Sequence, residues 1–208
     1  MTLRLFIYLA GCITFSVGAY CYIYSHLGTD PLDVLALGLR THLPVTVGMV
    51  QTAVAVVCLA GTAVLTSRRP LLSPLLTFFL CGNLIDLLLH VELGPFLAIN
   101  PLSFMVLGTM LCAYGSALII MSGFGIRAID LLAIAIVKRW SAPFWLAKGS
   151  LEALLLGSGY LLGGPVGIGT LSFMVLVNGL IQPMMWGNGR LFNLPNFGLP
   201  PEQVTSST

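Results

Sequence analysis

The stretch Gly28-Thr29-Asp30-Pro31-Leu32-Asp33-Val34-Leu35-Ala36 has an echo 97 positions later, in Gly125-Ile126-Arg127-Ala128-Ile129-Asp130-Leu131-Leu132-Ala133. Glycine, aspartate, leucine and alanine coincide in the two copies. The same offset pairs residues upstream: Leu5 with Leu102, Gly11 with Gly108, Gly18 with Gly115, Ile23 with Ile120, and Ser25 with Ser122. A constant offset over about forty residues, without a gap, indicates an internal duplication.

The composition indicates that lipid is the main solvent of this chain. Of 208 residues, 57% are hydrophobic and 8% are charged, whereas soluble domains carry about 25% charged residues. The net charge of +2, without a basic run, argues against nucleic acid as a partner. The five cysteines are scattered through apolar segments, which favours neither a disulfide framework nor a metal site.

Long apolar runs predict membrane-spanning helices. A span needs about 20 mostly apolar residues, and six stretches have that length: 4–25, 45–66, 72–91, 101–122, 142–162 and 168–187. Two shorter apolar pieces, at 30–40 and 127–138, each follow the first span of a repeat. We expect them to be short interfacial or re-entrant helices.

The distribution of basic residues predicts the orientation. With a cytoplasmic N-terminus, one basic residue, Arg40, lies outside. Seven lie inside: Arg4, Arg68, Arg69, Arg127, Lys138, Arg139 and Arg190. This bias predicts six spans with both termini in the cytoplasm. Each repeat then holds three spans, so the two copies run in opposite directions. The alternative is that the short pieces also span, which gives four helices per half and parallel repeats.

The expected fold is therefore an all-α polytopic membrane protein with six transmembrane helices, arranged as two inverted three-helix repeats with one short helix each. The first repeat covers residues 1–97 and the second covers 98–187. Residues 188–208 are rich in proline and polar residues, and we expect them to form a mostly disordered cytoplasmic tail.

Two motifs resemble a known family. The Gly-Thr-Asp-Pro-Leu-Asp-Val-Leu stretch at 28–35 and the Gly-Gly-Pro-Val-Gly-Ile-Gly-Thr stretch at 163–170 are similar to those of the bacterial YczE/YyaS/YitT membrane proteins. The resemblance extends over nearly the whole chain up to the tail. It implies a small integral membrane protein of the bacterial inner membrane, and it carries over no catalytic residue.

The two copies of the repeated stretch supply the first candidate binding residues, Asp33 and Asp130. Asp30, Pro31 and Asp33 also suit a helix N-terminus, where carboxylates cap free N–H groups and proline fits the first turn. Asp130 recurs without the Asp-Pro start, so capping alone does not account for it. Arg127, three residues away on the same face, is a possible partner.

Polar residues inside the predicted spans supply the others. Lys148 and Glu152 lie four residues apart, on one helix face, and Gln51 aligns with Lys148 at the offset of 97. Both charges are costly in lipid unless paired or hydrated. They form either a neutralised pair inside the bundle or a proton-coupling or substrate-binding pair.

The third span of each half adds Asp86, Asn83 and Asn178. A lone carboxylate such as Asp86 requires protonation or a partner, and Lys148 is the basic residue placed within a span. Asn83 and Asn178 are either hydrogen-bonding contacts between helices or ligands. Gly11, Gly18, Gly108 and Gly115 lie seven apart on the first helix of each repeat, a spacing that favours close helix packing.

These features favour a transporter or permease for a small molecule or ion, with its site between the repeats. The alternative is a non-transporting membrane protein that supports a partner complex or an export process. We find no enzyme signature, and we expect no cofactor and no metal. The lipid bilayer is the expected surrounding, and a homodimer is possible.

Overall fold

The computed structural model describes residues 2–67, 72–91, 100–125, 127–191 and 194–197. The helices in these ranges are, in chain order, α1 (Thr2–Ser25), α2 (Pro31–Arg40), α3 (Val47–Thr66), α4 (Ser73–Val91), α5 (Pro101–Ser122), α6 (Ala128–Trp140), α7 (Phe144–Leu161), α8 (Ile168–Ser172) and α9 (Asn178–Leu191). A π-helical turn, Phe173–Val177, joins α8 to α9, so that these three pieces form one continuous rod.

Helices occupy all six predicted spans. Five of them are long and apolar enough to cross a membrane: α1, α3, α4, α5 and the rod at Ile168–Arg190. The sixth, α7, has 18 residues but carries Lys148 and Glu152, and it falls outside that group. Large apolar side chains such as Phe6, Val64 and Leu161 are exposed on the outside of the bundle, as lipid contact requires.

The helix starts follow from local sequence. Asp30 accepts a hydrogen bond from the Leu32 amide, and Pro31 occupies the first turn of α2. Thr46 accepts one from the Met49 amide at the start of α3. Such caps use amide hydrogens that the helix itself leaves free.

α1 and α5 cross in opposite directions along a seam of glycines. A Cβ atom added to Gly11 would lie 3.0 Å from the Gly115 carbonyl oxygen, and one added to Gly18 would lie 3.0 Å from that of Gly108. Because rising numbers on α1 meet falling numbers on α5, the two helices are antiparallel. The prediction that these glycines permit close packing is confirmed.

The two first helices end in the same turn. The Ser25 hydroxyl donates to the Tyr22 carbonyl and accepts from the Leu27 amide. Ser122 does the same with Ile119 and Phe124, each 97 positions later. Each turn sends the chain back into the bundle, and at Gly28 the backbone takes a φ of +104° against Thr170. Only glycine adopts that conformation readily.

The short helices therefore begin inside the bundle. Asp30, at the start of α2, is 4% exposed, while Arg40 at its end is exposed. α2 packs against α7, and α6 packs against α3, so each short helix contacts the other half of the chain. In the first half α3 also packs closely on α4, whereas no comparable contact joins α7 to the last rod within the described ranges.

The region predicted to be a tail begins inside a helix. α9 continues to Leu191, and Asn188 is buried. The Phe197 amide donates to the Met121 carbonyl at 2.8 Å. Residues 198–208, the loop with Arg68 and Arg69, and the predicted repeat boundary at 97/98 lie outside the described residues.

Candidate functional site

The N-termini of the two short helices meet at a buried ion pair. Arg127 Nη2 lies 2.6 Å from Asp30 Oδ2, and the two side chains are 19% and 5% exposed. Asp30 precedes α2 and Arg127 precedes α6. The guanidinium also lies 5.8 Å from the ring centres of Phe15 and Phe173. The pair fixes both helix starts in the middle of the bundle.

One turn into α2, Asp33 is completely buried. Its Oδ1 accepts a hydrogen bond from Gln51 Nε2 on α3 at 2.7 Å, and its Oδ2 has no hydrogen-bond partner among the described residues. Burial is the main cause that raises the pKa of Asp33 to about 7, and the nearby charge of Asp30 acts in the same direction. A carboxylate in this position lacks the solvation that favours its charged form.

One turn into α6, Asp130 meets a cation. Lys148 Nζ on α7 lies 3.1 Å from Asp130 Oδ1, an ion pair without hydrogen-bond alignment. It also lies 3.7 Å from Glu152 Oε1 and 3.2 Å from Asn178 Oδ1. Asn178 directly follows the π-helical turn, a feature that often marks functional sites in helices.

Asp33 with Gln51 and Asp130 with Lys148 are the same contact made twice. Each partner of the second pair lies 97 positions after its counterpart in the first. The sequence predicts that these four positions correspond, and the structure brings each pair together. The chemical difference is that the first repeat places a neutral amide where the second places an ammonium group.

A cavity of about 40 Å³ lies between the two halves. It has room for about three water molecules. Its polar lining comes from both repeats: Asp30, Gln51, Arg127, Asp130, Lys148 and Asn178. The lining also includes the hydroxyl residues Thr77 and Ser116 and apolar residues such as Phe15 and Phe78.

Asp86 lies elsewhere, and its expected pairing with Lys148 is wrong. Its two carboxylate oxygens accept hydrogen bonds from the Val47 and Gly48 amides, both at 2.8 Å. Asp86 therefore caps the N-terminus of α3, where its charge also suits the helix dipole. This contact accounts for a carboxylate near the end of α4 without a basic partner.

Asn83 does not join the site either. Its side chain is exposed and donates to the Phe79 carbonyl of its own helix. Of the two asparagines singled out from the sequence, Asn178 alone lines the cavity. Glu152 is 9% exposed and belongs to the Lys148 cluster.

The sequence reasoning missed the central pair. It treats Asp30 as a cap and Arg127 as a partner for Asp130, whereas the two contact each other across the halves. One signal was available, since Asp30 and Arg127 are 97 positions apart and carry opposite charges at corresponding places. Within the described ranges, no three His, Cys, Asp or Glu side chains gather as metal ligands.

The apolar helices and the buried polar centre define a multi-pass, all-helical membrane protein. The chain belongs to the family of unknown function DUF6198, whose sequence profile matches residues 2–185. It is 32% identical over 178 residues to the uncharacterized protein YyaS of Bacillus subtilis (strain 168), covering 84% of this chain and 89% of YyaS.

Two further relatives have similar coverage. The uncharacterized membrane protein YczE of Bacillus subtilis is 30% identical over 186 residues, which are 87% of this chain and 84% of YczE. An uncharacterized protein of Haemophilus influenzae (strain ATCC 51907 / DSM 11121 / KW20 / Rd) is 25% identical over 86% of this chain and 82% of its own. The resemblance to the YczE and YyaS proteins is confirmed. No solved structure matches the chain.

Proposed function

We propose that this protein is a transporter for a small cation in the bacterial inner membrane, with its site between two inverted repeats. The observation that carries the proposal is the buried Asp30–Arg127 pair, in which corresponding positions of the two halves contact each other. Buried ionisable groups inside a membrane bundle commonly mark the path of an ion or substrate.

Reciprocal contacts support the inverted repeat. Gly18 contacts Cys112. Their counterparts in the other repeat, Gly115 and Phe15, also contact each other. α2 packs on α7 and α6 packs on α3, which is the same exchange at the level of helices. A local twofold axis that lies in the membrane plane produces such exchanges and inverts one half relative to the other.

The charges of the site favour a positively charged solute. The described groups there comprise four carboxylates, on Asp30, Asp33, Asp130 and Glu152, and two cations, on Arg127 and Lys148. An excess of negative charge in a poorly solvated place is stabilised by a cation or by protonation. The candidate cation ligands are therefore the side-chain oxygens of Asp33, Gln51, Asp130, Glu152 and Asn178, and Lys148 is the resident ammonium group that neutralises Asp130 and Glu152.

The unequal packing of the halves supports one way to open the site. Gly48 and Gly82 hold α3 close to α4, whereas the hydrogen bond between α7 and the last rod in the described ranges is that from Lys148 to Asn178. In this proposal the α7 side of the cavity opens first, because it breaks the fewest contacts. Alternating access then moves the second half against the first.

The proposed topology has six spans, with α7 as the fifth, and both termini in the cytoplasm. It rests on the excess of basic residues on that side and on the burial of Lys148 and Glu152 within the bundle. We propose no enzymatic activity and no nucleic-acid partner. A homodimer is compatible with the exposed apolar surface and is not required by the site.

The proposal is tested by thermal unfolding of the purified protein in detergent with chloride salts of sodium, potassium, ammonium, tetramethylammonium, choline and spermidine. A ligand of the folded state raises the unfolding temperature by mass action. We expect one of these cations to do so in the wild type and in Asn83→Ala, whose side chain lies outside the cavity. The stabilisation should be lost in Asp130→Asn and at least retained in Lys148→Gln, which removes a competing positive charge.

A cation that stabilises all four proteins equally would contradict a site between the repeats. If none of the salts stabilises the wild type, while another membrane protein co-purifies in a one-to-one ratio, the accessory role is correct instead. Cross-linking in native membranes then identifies the partner.

A further inference from the structure

We propose that Asp33 is the proton-binding group of this site: a proton occupies Oδ2 while the neighbouring cavity holds no cation, and it leaves when a cation enters that cavity. The inference rests on the proposed function and adds its coupling ion. The entering cation occupies the cavity that Gln51, Asp130 and Lys148 line. The exchange is one proton, released to water, for one positive charge.

The comparison between the repeats is the first argument. Asp33 and Asp130 hold the same place on α2 and α6, and both face the second long helix of their own repeat. Asp130 has an ammonium group at 3.1 Å. Asp33 has the amide of Gln51 at 2.7 Å and forms no ion pair with a described residue. One carboxyl group therefore carries its own counter-ion, and the other lacks it.

The unsatisfied oxygen is the second argument. Asp33 is completely buried, and its Oδ2 receives no hydrogen bond from the part of the chain that the structure describes. In the same part of the chain, the hydroxyl oxygen of Thr29, four residues earlier, is also buried without a partner. An ionised carboxylate with one bare oxygen in such surroundings is costly, and protonation removes the charge. A proton also needs no space beyond that of the carboxyl group itself.

The surrounding charges leave Asp33 without a free cation. The charged groups near it from its own and neighbouring elements are Asp30, Asp86, Arg127, Asp130, Lys148 and Glu152. Arg127 is bound by Asp30, and Lys148 is shared by Asp130 and Glu152. Helix α3 (Val47–Thr66) contains no charged residue, and it contacts Asp33 through Gln51. The two local cations are therefore already paired with other carboxylates.

Gln51 connects this carboxyl group to the cavity. Its side chain donates to Asp33 Oδ1 and lines the cavity together with Asp130 and Lys148. A cation in the cavity stabilises the ionised form of Asp33 by Coulomb attraction, so the proton leaves. When the cation departs, Asp33 binds a proton again. When the cavity holds no cation, Asp33 is protonated and neutral. The protein can then change conformation without a buried charge on Asp33.

Infrared difference spectroscopy of the protein in lipid vesicles tests this assignment. A protonated carboxyl group has a carbonyl stretch that disappears on ionisation. We expect a band in the wild type that is present at about pH 5 and lost by about pH 9. The band should be absent in Asp33→Asn and retained in Asp130→Asn, which changes the matched carboxylate.

Exchanging the two partners tests the same point with both carboxylates in place. Gln51→Lys gives Asp33 the partner that Asp130 has, so the band should vanish at neutral pH. Lys148→Gln gives Asp130 the partner that Asp33 has, so a second titrating carboxyl band should appear. These variants decide the matter even if Asp33→Asn does not fold. A wild type without a titrating band, or a band that persists in Gln51→Lys, would overturn the proposal.

The spectroscopic result is separable from the test of transport. If the band belongs to Asp33 but no cation stabilises the protein, the proton site is correct and the cation transporter is not. If ammonium or tetramethylammonium chloride raises the unfolding temperature but leaves the band unchanged at constant pH, the site binds cations and the exchange with a proton is wrong.

Discussion

The thiol of Cys112 points at the carbonyl oxygen of Phe15 across 3.7 Å, and the two residues are 97 positions apart. A residue that contacts its own counterpart must lie on the axis that relates the two halves. Asp30 and Arg127 form a second such contact. Two points define a line, so the proposed axis runs through the crossing of α1 and α5 and through the ion pair.

The crossing of α1 and α5 should tolerate no added side chain. In Gly18→Ala, the new Cβ would lie 2.6 Å from the Cys112 amide nitrogen, and we expect a loss of about 1–3 kcal/mol from overpacking. Gly149→Ala is the matched control, because nothing lies within 4 Å of that position. Unfolding temperatures in detergent compare the two, and equal values would contradict the close seam.

The central ion pair should behave as a unit. Asp30→Asn leaves the Arg127 guanidinium buried and unpaired, which costs about 3–5 kcal/mol. Because the two positions correspond, the exchanged double variant Asp30→Arg with Arg127→Asp should recover at least half of the lost stability. A double variant less stable than either single one would show that the positions are not interchangeable. Thermal unfolding in one detergent compares the wild type, Asp30→Asn, the single variants Asp30→Arg and Arg127→Asp, and the double variant.

Asp86 should matter for folding and not for binding. Asp86→Ala removes the acceptor for two amides at the start of α3, and we expect a loss of about 1–2 kcal/mol. Its response to the cation panel should match that of the wild type. Asn83→Ala is the control. Its exposed side chain donates only to the Phe79 carbonyl of its own helix in the described ranges, so the change in stability should be less than about 0.5 kcal/mol. Loss of a cation response in Asp86→Ala would return Asp86 to the site.

In the proposed inverted arrangement, His42 and Arg139 lie on opposite sides of the membrane. They hold corresponding positions in the two repeats, and both are exposed. The natural cysteines are all buried, so a membrane-impermeant maleimide should label intact cells through His42→Cys and leave Arg139→Cys unmodified. Permeabilised cells should show labelling of both. Equal labelling in intact cells would favour the parallel arrangement of four spans per half.

Stability should fall as the pH rises toward neutrality. The pKa of Asp33 is about 7 in the folded protein, against an ordinary value of 3.8. Between these values the folded state holds a proton that the unfolded state has lost, so unfolding releases a proton. The stabilisation is complete below about pH 4 and is lost as the pH passes through about 7. Unfolding temperatures across this range should show the slope, and Asp33→Asn should lack it.

The sequence indicated most of the fold because its signals are local or periodic. Apolar runs delimit the spans, and the offset of 97 pairs Asp33 with Asp130 and Gln51 with Lys148 before any contact is known. What it left open were contacts between the halves. Whether Arg127 contacts Asp130 or Asp30 depends on how the short helices α2 and α6 are placed relative to each other. That placement cannot be predicted from the sequence of either helix alone.

The outward direction of Asn83 was hidden for a different reason. α4 is apolar around its whole circumference, so its sequence does not distinguish a lipid face from a core face. Asp86 was misjudged because its partners are the backbone amides of α3. Backbone donors leave no trace in a list of side chains, whereas Lys148 was visible as a residue type.

The exchange of short helices has a consequence for how the protein is made. Helix α2 packs against α7, and α3 packs against α6. Each half therefore depends on the other half for part of its helix packing. When the first half enters the bilayer during synthesis, helices α6 and α7, which α3 and α2 contact, have not yet been translated. These contacts of α2 and α3 therefore form after the first half has been synthesised, once the second half is present.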